Sequence, residues 1–168
     1  MSAASMWRLL LRGFGWGIAA CVIGNLVFGV VGLLTTLAVD FLTYPRNILR
    51  EFNLLPQDIL AVLLFPMNLF FYGMVFSLIP SAFGGVVLVG LLTYLSPRVG
   101  NLRYVGTIVG SLVGGVTGVT SSFLAIYFLL GGGAGGLAYL AILAWTIAFI
   151  VGGLVGQKLA STCSQVGP

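Results

Sequence analysis

Apolar positions along the chain gather into continuous blocks of more than 20 residues, without the alternation that marks half-buried strands. A helix rising about 1.5 Å per residue crosses a hydrocarbon core of roughly 30 Å within such a block. Barrel strands would need short alternating segments between polar turns, and the sequence has none. The pattern predicts an all-α integral membrane protein, a single polytopic domain over residues 1–168 folded as a four-transmembrane-helix bundle. Helices are expected at about 14–39, 68–95, 104–130 and 137–157.

The number of crossings rests on charge. Ile59 to Leu95 is almost continuously apolar, broken by Pro66, Pro80 and Ser81, and has room for one crossing or two. A single crossing from Asn68, kinked near Pro80, puts Arg8, Arg12, Arg98, Arg103 and Lys158 on one side and leaves Arg46 and Arg50 with every acid on the other. Two crossings would move Arg98, Arg103 and Lys158 across and reverse the usual cytoplasmic excess of Lys and Arg. Four crossings with both termini cytoplasmic are therefore expected. Trp7, Tyr94 and Tyr104 at one set of helix ends, and Tyr44, Tyr127 and Tyr139 at the other, stand where aromatic belts form. The first block follows Arg8 and Arg12 and runs from Phe14 to Val39 without a small-residue cleavage site, so it reads as a retained helix and not a signal peptide.

The segment from Asp40 to Met67 is the one sizeable polar region and is expected outside. Pro45 can open a short helix there, with Ile48, Leu49, Phe52 and Leu55 on one face and Arg46, Asn47, Arg50 and Glu51 on the other, an amphipathic pattern suited to the membrane interface. Gln57 to Phe65 is too short to span alone. Asp40, Arg46, Arg50, Glu51 and Asp58 could form an external surface for a partner, although solvated interface residues are the commoner case. Between the third and fourth helices, Gly131 to Gly136 has Ala134 as its only non-glycine and predicts a tight external turn. A phosphate cradle would need a following Lys and Ser or Thr, which are absent.

The strongest pattern is a row of small residues at every fourth position. Gly106, Gly110, Gly114 and Gly118 lie on one face of the third helix, with Ser122 continuing the row: a glycine zipper. Ala144, Ala148, Gly152 and Gly156 form a matching row on the fourth helix, and the short turn makes the two natural neighbours. The second helix carries Gly73, Ser77, Ser81 and Gly85, and the first Gly13, Gly17, Cys21, Asn25 and Gly29. Lipid is as apolar as leucine, so helices associate there through close van der Waals contact, which small residues permit. The rows fit compact packing within the chain or, less commonly, association with another subunit.

Composition then narrows the chemistry. The chain is 60% hydrophobic and 6% charged, against about 25% charged residues in soluble domains, which excludes a water-soluble fold. Its net charge of +4 is spread in ones and twos at helix ends and not clustered, so no nucleic acid partner is implied. Histidine is absent, and no Asp, Glu, Lys or Arg falls well within a proposed span. That disfavours proton-coupled transport, voltage sensing and general-base catalysis, and no enzyme activity, metal or cofactor is expected. Cys21 lies inside the first helix and Cys163 in the C-terminal tail, so no disulfide is expected.

The polar candidates inside the membrane are Asn25 and Asn68, expected at different depths, and a second small row of Thr107, Ser111 and Gly115 with Thr117, Thr120 and Ser121 further along. Each asparagine reads first as an interhelical clasp and second as a ligand group. The hydroxyls read first as self-satisfied and second as a polar track. Abundant packing faces and absent chemistry favour a non-enzymatic accessory, assembly or scaffolding subunit whose partners are the lipid bilayer and other membrane subunits or further copies of itself. The alternative is a small channel, transporter or binding protein for a small or lipophilic solute.

Overall fold

A computed structural model describes residues 3–43, 56–130 and 138–163. They form four helices: α1 (Ala3–Thr43), α2 (Pro56–Leu95), α3 (Leu102–Leu130) and α4 (Ala138–Cys163). Each contains a stretch long and apolar enough to cross a membrane: Ser5–Thr35, Phe70–Leu95, Leu102–Ala125 and Leu140–Cys163. The amphipathic helix expected after Pro45, the turn at Gly131 to Gly136, and Arg46, Arg50 and Glu51 lie outside the described residues, as do the side chains of Asp40 and Asp58.

Helix bounds differ from the hydropathy blocks in three places. α1 starts at Ala3, upstream of Arg8 and Arg12, because the apolar block marks contact with lipid while the backbone hydrogen bonds continue past it. α2 starts at Pro56, so Gln57 to Phe65, expected in the segment between helices, is continuous with the second helix. Proline suits a first helical turn, where its missing N–H has no acceptor to serve, and Pro66 and Pro80 are carried in the interior of the same helix. α4 runs to Cys163, which is buried in the bundle and not part of a tail.

The bundle consists of two antiparallel hairpins, α1 with α2 and α3 with α4, each joined backbone to backbone. A Cβ placed on Gly106 would lie 2.6 Å from the Gly156 carbonyl oxygen, and one on Gly114 would lie 2.9 Å from Gly152 Cα. On Gly110 it would overlap the Gly152 carbonyl oxygen and lie 2.8 Å from Gly156 Cα. In the other hairpin a Cβ on Gly13 would sit 2.6 Å from the Gly85 carbonyl oxygen, and one on Gly17 would meet the Ser81 carbonyl. The register continues outward along α1, pairing Cys21 with Ser77 and Asn25 with Gly73. Each step of four along one helix is thus matched by a step of four back along its partner.

At the end carrying the α1 N-terminus, the two hairpins close on one another. Leu9, Leu88, Leu92, Leu102, Val155 and Leu159, drawn from all four helices, form a shared core there. Midway along, the Gly84 backbone approaches Val113 and Thr117 of α3. The antiparallel arrangement gathers Arg8, Arg12, Arg98, Arg103 and Lys158 at this same end, all exposed. Trp7, Tyr94 and Tyr104 are exposed beside them. Arg98 stacks 3.8 Å over the Tyr94 ring and donates to the Tyr94 carbonyl at 3.2 Å, a pairing suited to the headgroup layer.

These contacts set apart glycines of identical composition. Gly110→Ala should lower the thermal unfolding temperature through an overpacking cost of about 1–3 kcal/mol, whereas Gly90→Ala, where a Cβ meets nothing within 4 Å, should be neutral or slightly stabilising. Equal unfolding temperatures for the two variants would refute the backbone-on-backbone contact.

Candidate functional site

Small residues that draw the helices together in pairs leave space where the two pairs meet. The space is a cavity of about 260 Å³ lined by all four helices. Leu88 and Val155 belong both to its lining and to the shared core, so the core forms its floor. From there the lining reaches Phe28 on α1, Tyr72 on α2, Ala125 on α3 and Leu140 on α4, about 20 Å further along the bundle at 1.5 Å per residue. Gly84, Gly118, Ala144 and Ala148 line it between those limits. Their small size is what keeps it open.

One wall holds a network of polar groups centred on Ser77. The Ser77 hydroxyl donates to the Gly73 carbonyl at 2.6 Å, which commits its only proton. It therefore accepts from Asn25 Nδ2 at 2.8 Å, and the Cys21 thiol lies 3.1 Å from it with Met74 Sδ at 4.0 Å as a second acceptor for the thiol proton. Asn25 Nδ2 also donates to the Cys21 carbonyl at 2.8 Å. Both neighbours of the amide nitrogen are thus acceptors, which fixes the orientation of the side chain. Its Oδ1 rests against Gly73, where any Cβ would collide with it. Asn25 is buried and clasps α1 to α2, in keeping with the general cost of leaving an amide unpaired in hydrocarbon.

On the facing wall the hydroxyls turn to their own helix. Thr117 Oγ1 donates to the Gly114 carbonyl at 2.9 Å and Ser121 Oγ to the Thr117 carbonyl at 2.7 Å. Ser81 and Ser122 also line the cavity.

The other sequence candidates lie elsewhere. Asn68 is exposed in the N-terminal half of α2, apart from the Gly73 and Ser77 positions that meet Asn25. Thr107 donates to the Arg103 carbonyl at 3.1 Å, and Ser111 is buried in the α3–α4 contact, its hydroxyl facing Gly153. Of the expected polar track, therefore, Thr117 and Ser121 reach the cavity while Thr107 and Ser111 do not. Cys21 and Cys163 are free thiols, the first in the cavity wall and the second in the core at the basic end. Sequence reading missed the cavity itself. Its one visible sign was the excess of small residues over what four helices need for pairwise contact. Comparison with family models, characterised proteins and solved structures gives no match for this chain.

The clasp predicts a measurable coupling. In a double-mutant cycle of Asn25→Val and Ser77→Ala, unfolding free energies should be non-additive by about 0.6–1.7 kcal/mol, the range of interhelical side-chain bonds in membranes. Strict additivity would mean that the two side chains do not bond.

Proposed function

We propose that this protein is a non-enzymatic multi-pass membrane protein that holds one small lipophilic solute between its two helical hairpins. The observation that carries the proposal is the cavity of about 260 Å³, floored by the core and walled by all four helices. An apolar cavity of about 150 Å³ accommodates benzene, and pockets for drug-sized ligands start near 300 Å³, so the space suits a single compact guest. The rows of small residues support the reading as glycine zippers within the chain: Gly106, Gly110 and Gly114 face Gly152 and Gly156, and Gly13 and Gly17 face Ser81 and Gly85. An accessory or scaffolding subunit would draw on the same rows for contacts with other chains, and here they face inward.

The test uses gently extracted protein with pyrene as a neutral guest, followed by fluorescence titration and native mass measurement. Saturable binding of one pyrene per chain is expected, with binding weakened at least tenfold when Ala125→Phe and Ala141→Phe together fill the cavity. Purely linear partitioning, unchanged in the filled variant, would sink the proposal. So would recovery only in complex with other protein chains and without a pyrene adduct, which would favour the assembly-subunit reading.

With Lys and Arg biased toward the cytoplasm, the end bearing Arg8, Arg98 and Lys158 faces inward and the cavity extends toward the opposite leaflet. Protease sites appended to either terminus should be cut only after cells are permeabilised. Cleavage in intact cells would invert this orientation.

A further inference from the structure

We infer that a phospholipid with a net anionic headgroup binds in the groove between α1 and α2 at the basic end, its phosphate on Arg98 and its upper acyl chain along Met6, Leu10 and Gly90. The site shares no lining residue with the solute cavity and does not depend on the solute-binding reading.

The groove has a volume of about 220 Å³. It follows the α1–α2 seam beyond the last glycine contact, where Gly13 meets Gly85 and Val89. Leu9 and Val89 form its buried base, and Met6, Gly90 and Tyr94 are exposed along its rim. A Cβ on Gly90 would meet nothing within 4 Å. Unlike Gly85, then, this glycine brings no backbone closer, and it leaves room for a chain from the bilayer. From Tyr94 to Val89 the groove descends about 7.5 Å along α2, at 1.5 Å per residue, from the headgroup end toward the hydrocarbon.

A cation is fixed at its mouth. Arg98 lies 3.8 Å over the ring of Tyr94, which lines the groove, and donates through Nη1 to the Tyr94 carbonyl at 3.2 Å. A guanidinium has five N–H groups, and among the described residues this one makes no other hydrogen bond. The remaining N–H groups suit the oxygens of a phosphate, which a planar guanidinium binds in bidentate fashion. Because the ring already holds the side chain in place, little of its freedom is left to lose on binding.

Charge selects the headgroup. Arg8, Arg12, Arg98, Arg103 and Lys158 stand exposed at this end, whereas all three acids fall between Asp40 and Asp58. Asp40 is roughly 40 Å from Arg12 along α1 at 1.5 Å per residue, several times the screening length of about 8–10 Å at physiological salt. Asp58 stands at the start of α2, the end opposite Tyr94. Single cations in the sequence thus become a cluster through antiparallel packing, and the cluster draws its counter-charge from the membrane surface. A choline headgroup would add a further positive charge to it; a headgroup with a net negative charge relieves the repulsion.

The test is native mass measurement of the full-length protein, gently extracted in neutral detergent and titrated with phosphatidylglycerol and phosphatidylcholine of identical acyl chains. The first phosphatidylglycerol should bind at a concentration about fivefold below that of the first phosphatidylcholine, the effect of one basic residue at an anionic interface. Arg98→Gln should bring that ratio toward one. Arg103→Gln, which removes a cation of the same cluster outside the groove, should leave most of it. Gly90→Leu, whose side chain enters open space, should weaken the first phosphatidylglycerol by a similar factor with the unfolding temperature unchanged. Equal binding of the two lipids by the native chain would overturn the inference. So would equal losses in Arg98→Gln and Arg103→Gln, which would mean diffuse attraction to the cluster, or an unaltered ratio in Gly90→Leu. Displacement of the lipid by glycerol 3-phosphate would also overturn it, because phosphate alone would then be the ligand.

Discussion

Close approach of backbones between glycines is the contact on which the rest of this structure depends. In water, burial of apolar surface would hold four helices together with little regard to their faces. In lipid that force is absent between helices, and association falls to dispersion at short range, which decays steeply with a gap of even half an ångström. Gly110 against Gly152, and Gly13 against Gly85, bring the helix axes as near as backbone atoms allow. A methyl group at either place would forfeit the contact along its whole row.

The same economy of side chains produces the cavity. Residues small enough to join two helices into a hairpin are too small to fill the space between two hairpins, so Gly84, Gly114 and Gly118 serve one contact and leave room beside it. At the basic end the gap is filled by large residues: Leu92 and Leu159 are fully buried there, and the hairpins are fixed to each other. The bundle is thus closed at one end by volume and kept open beyond it by the lack of it. Ser77, Thr117 and Ser121, which border the space, each donate to a carbonyl of their own helix, which lowers the desolvation cost of placing them there.

The Asn25 clasp shows how a polar group can live at this depth. Its amide spends both protons within the α1–α2 hairpin, one of them on Ser77, and Gly73 leaves the space that Oδ1 occupies. Three residue types have to coincide in one register for that to hold. The hairpin register, set by glycines nearer the basic end, brings them together.

The amino-acid sequence by itself determined what depends on the solvent: four helices long and apolar enough to cross a membrane, and the gathering of Arg8, Arg12, Arg98, Arg103 and Lys158 at one end, because hydrocarbon excludes charge whatever the fold. It also displayed the four rows of small residues, since a repeat of four is a property of one helix. Helix ends were less legible: α1 and α2 continue beyond their apolar blocks, where hydropathy changes and backbone hydrogen bonding does not. Only the tertiary structure decided which row meets which, that Asn25 answers Ser77 while Asn68 stands apart, and that Thr117 and Ser121 border a cavity while Thr107 and Ser111 are bonded or buried away from it. Those outcomes depend on how two hairpins lean on one another. Leu9, Leu92, Leu102 and Leu159 come from all four helices to the core where the hairpins meet, and no single helix encodes that contact.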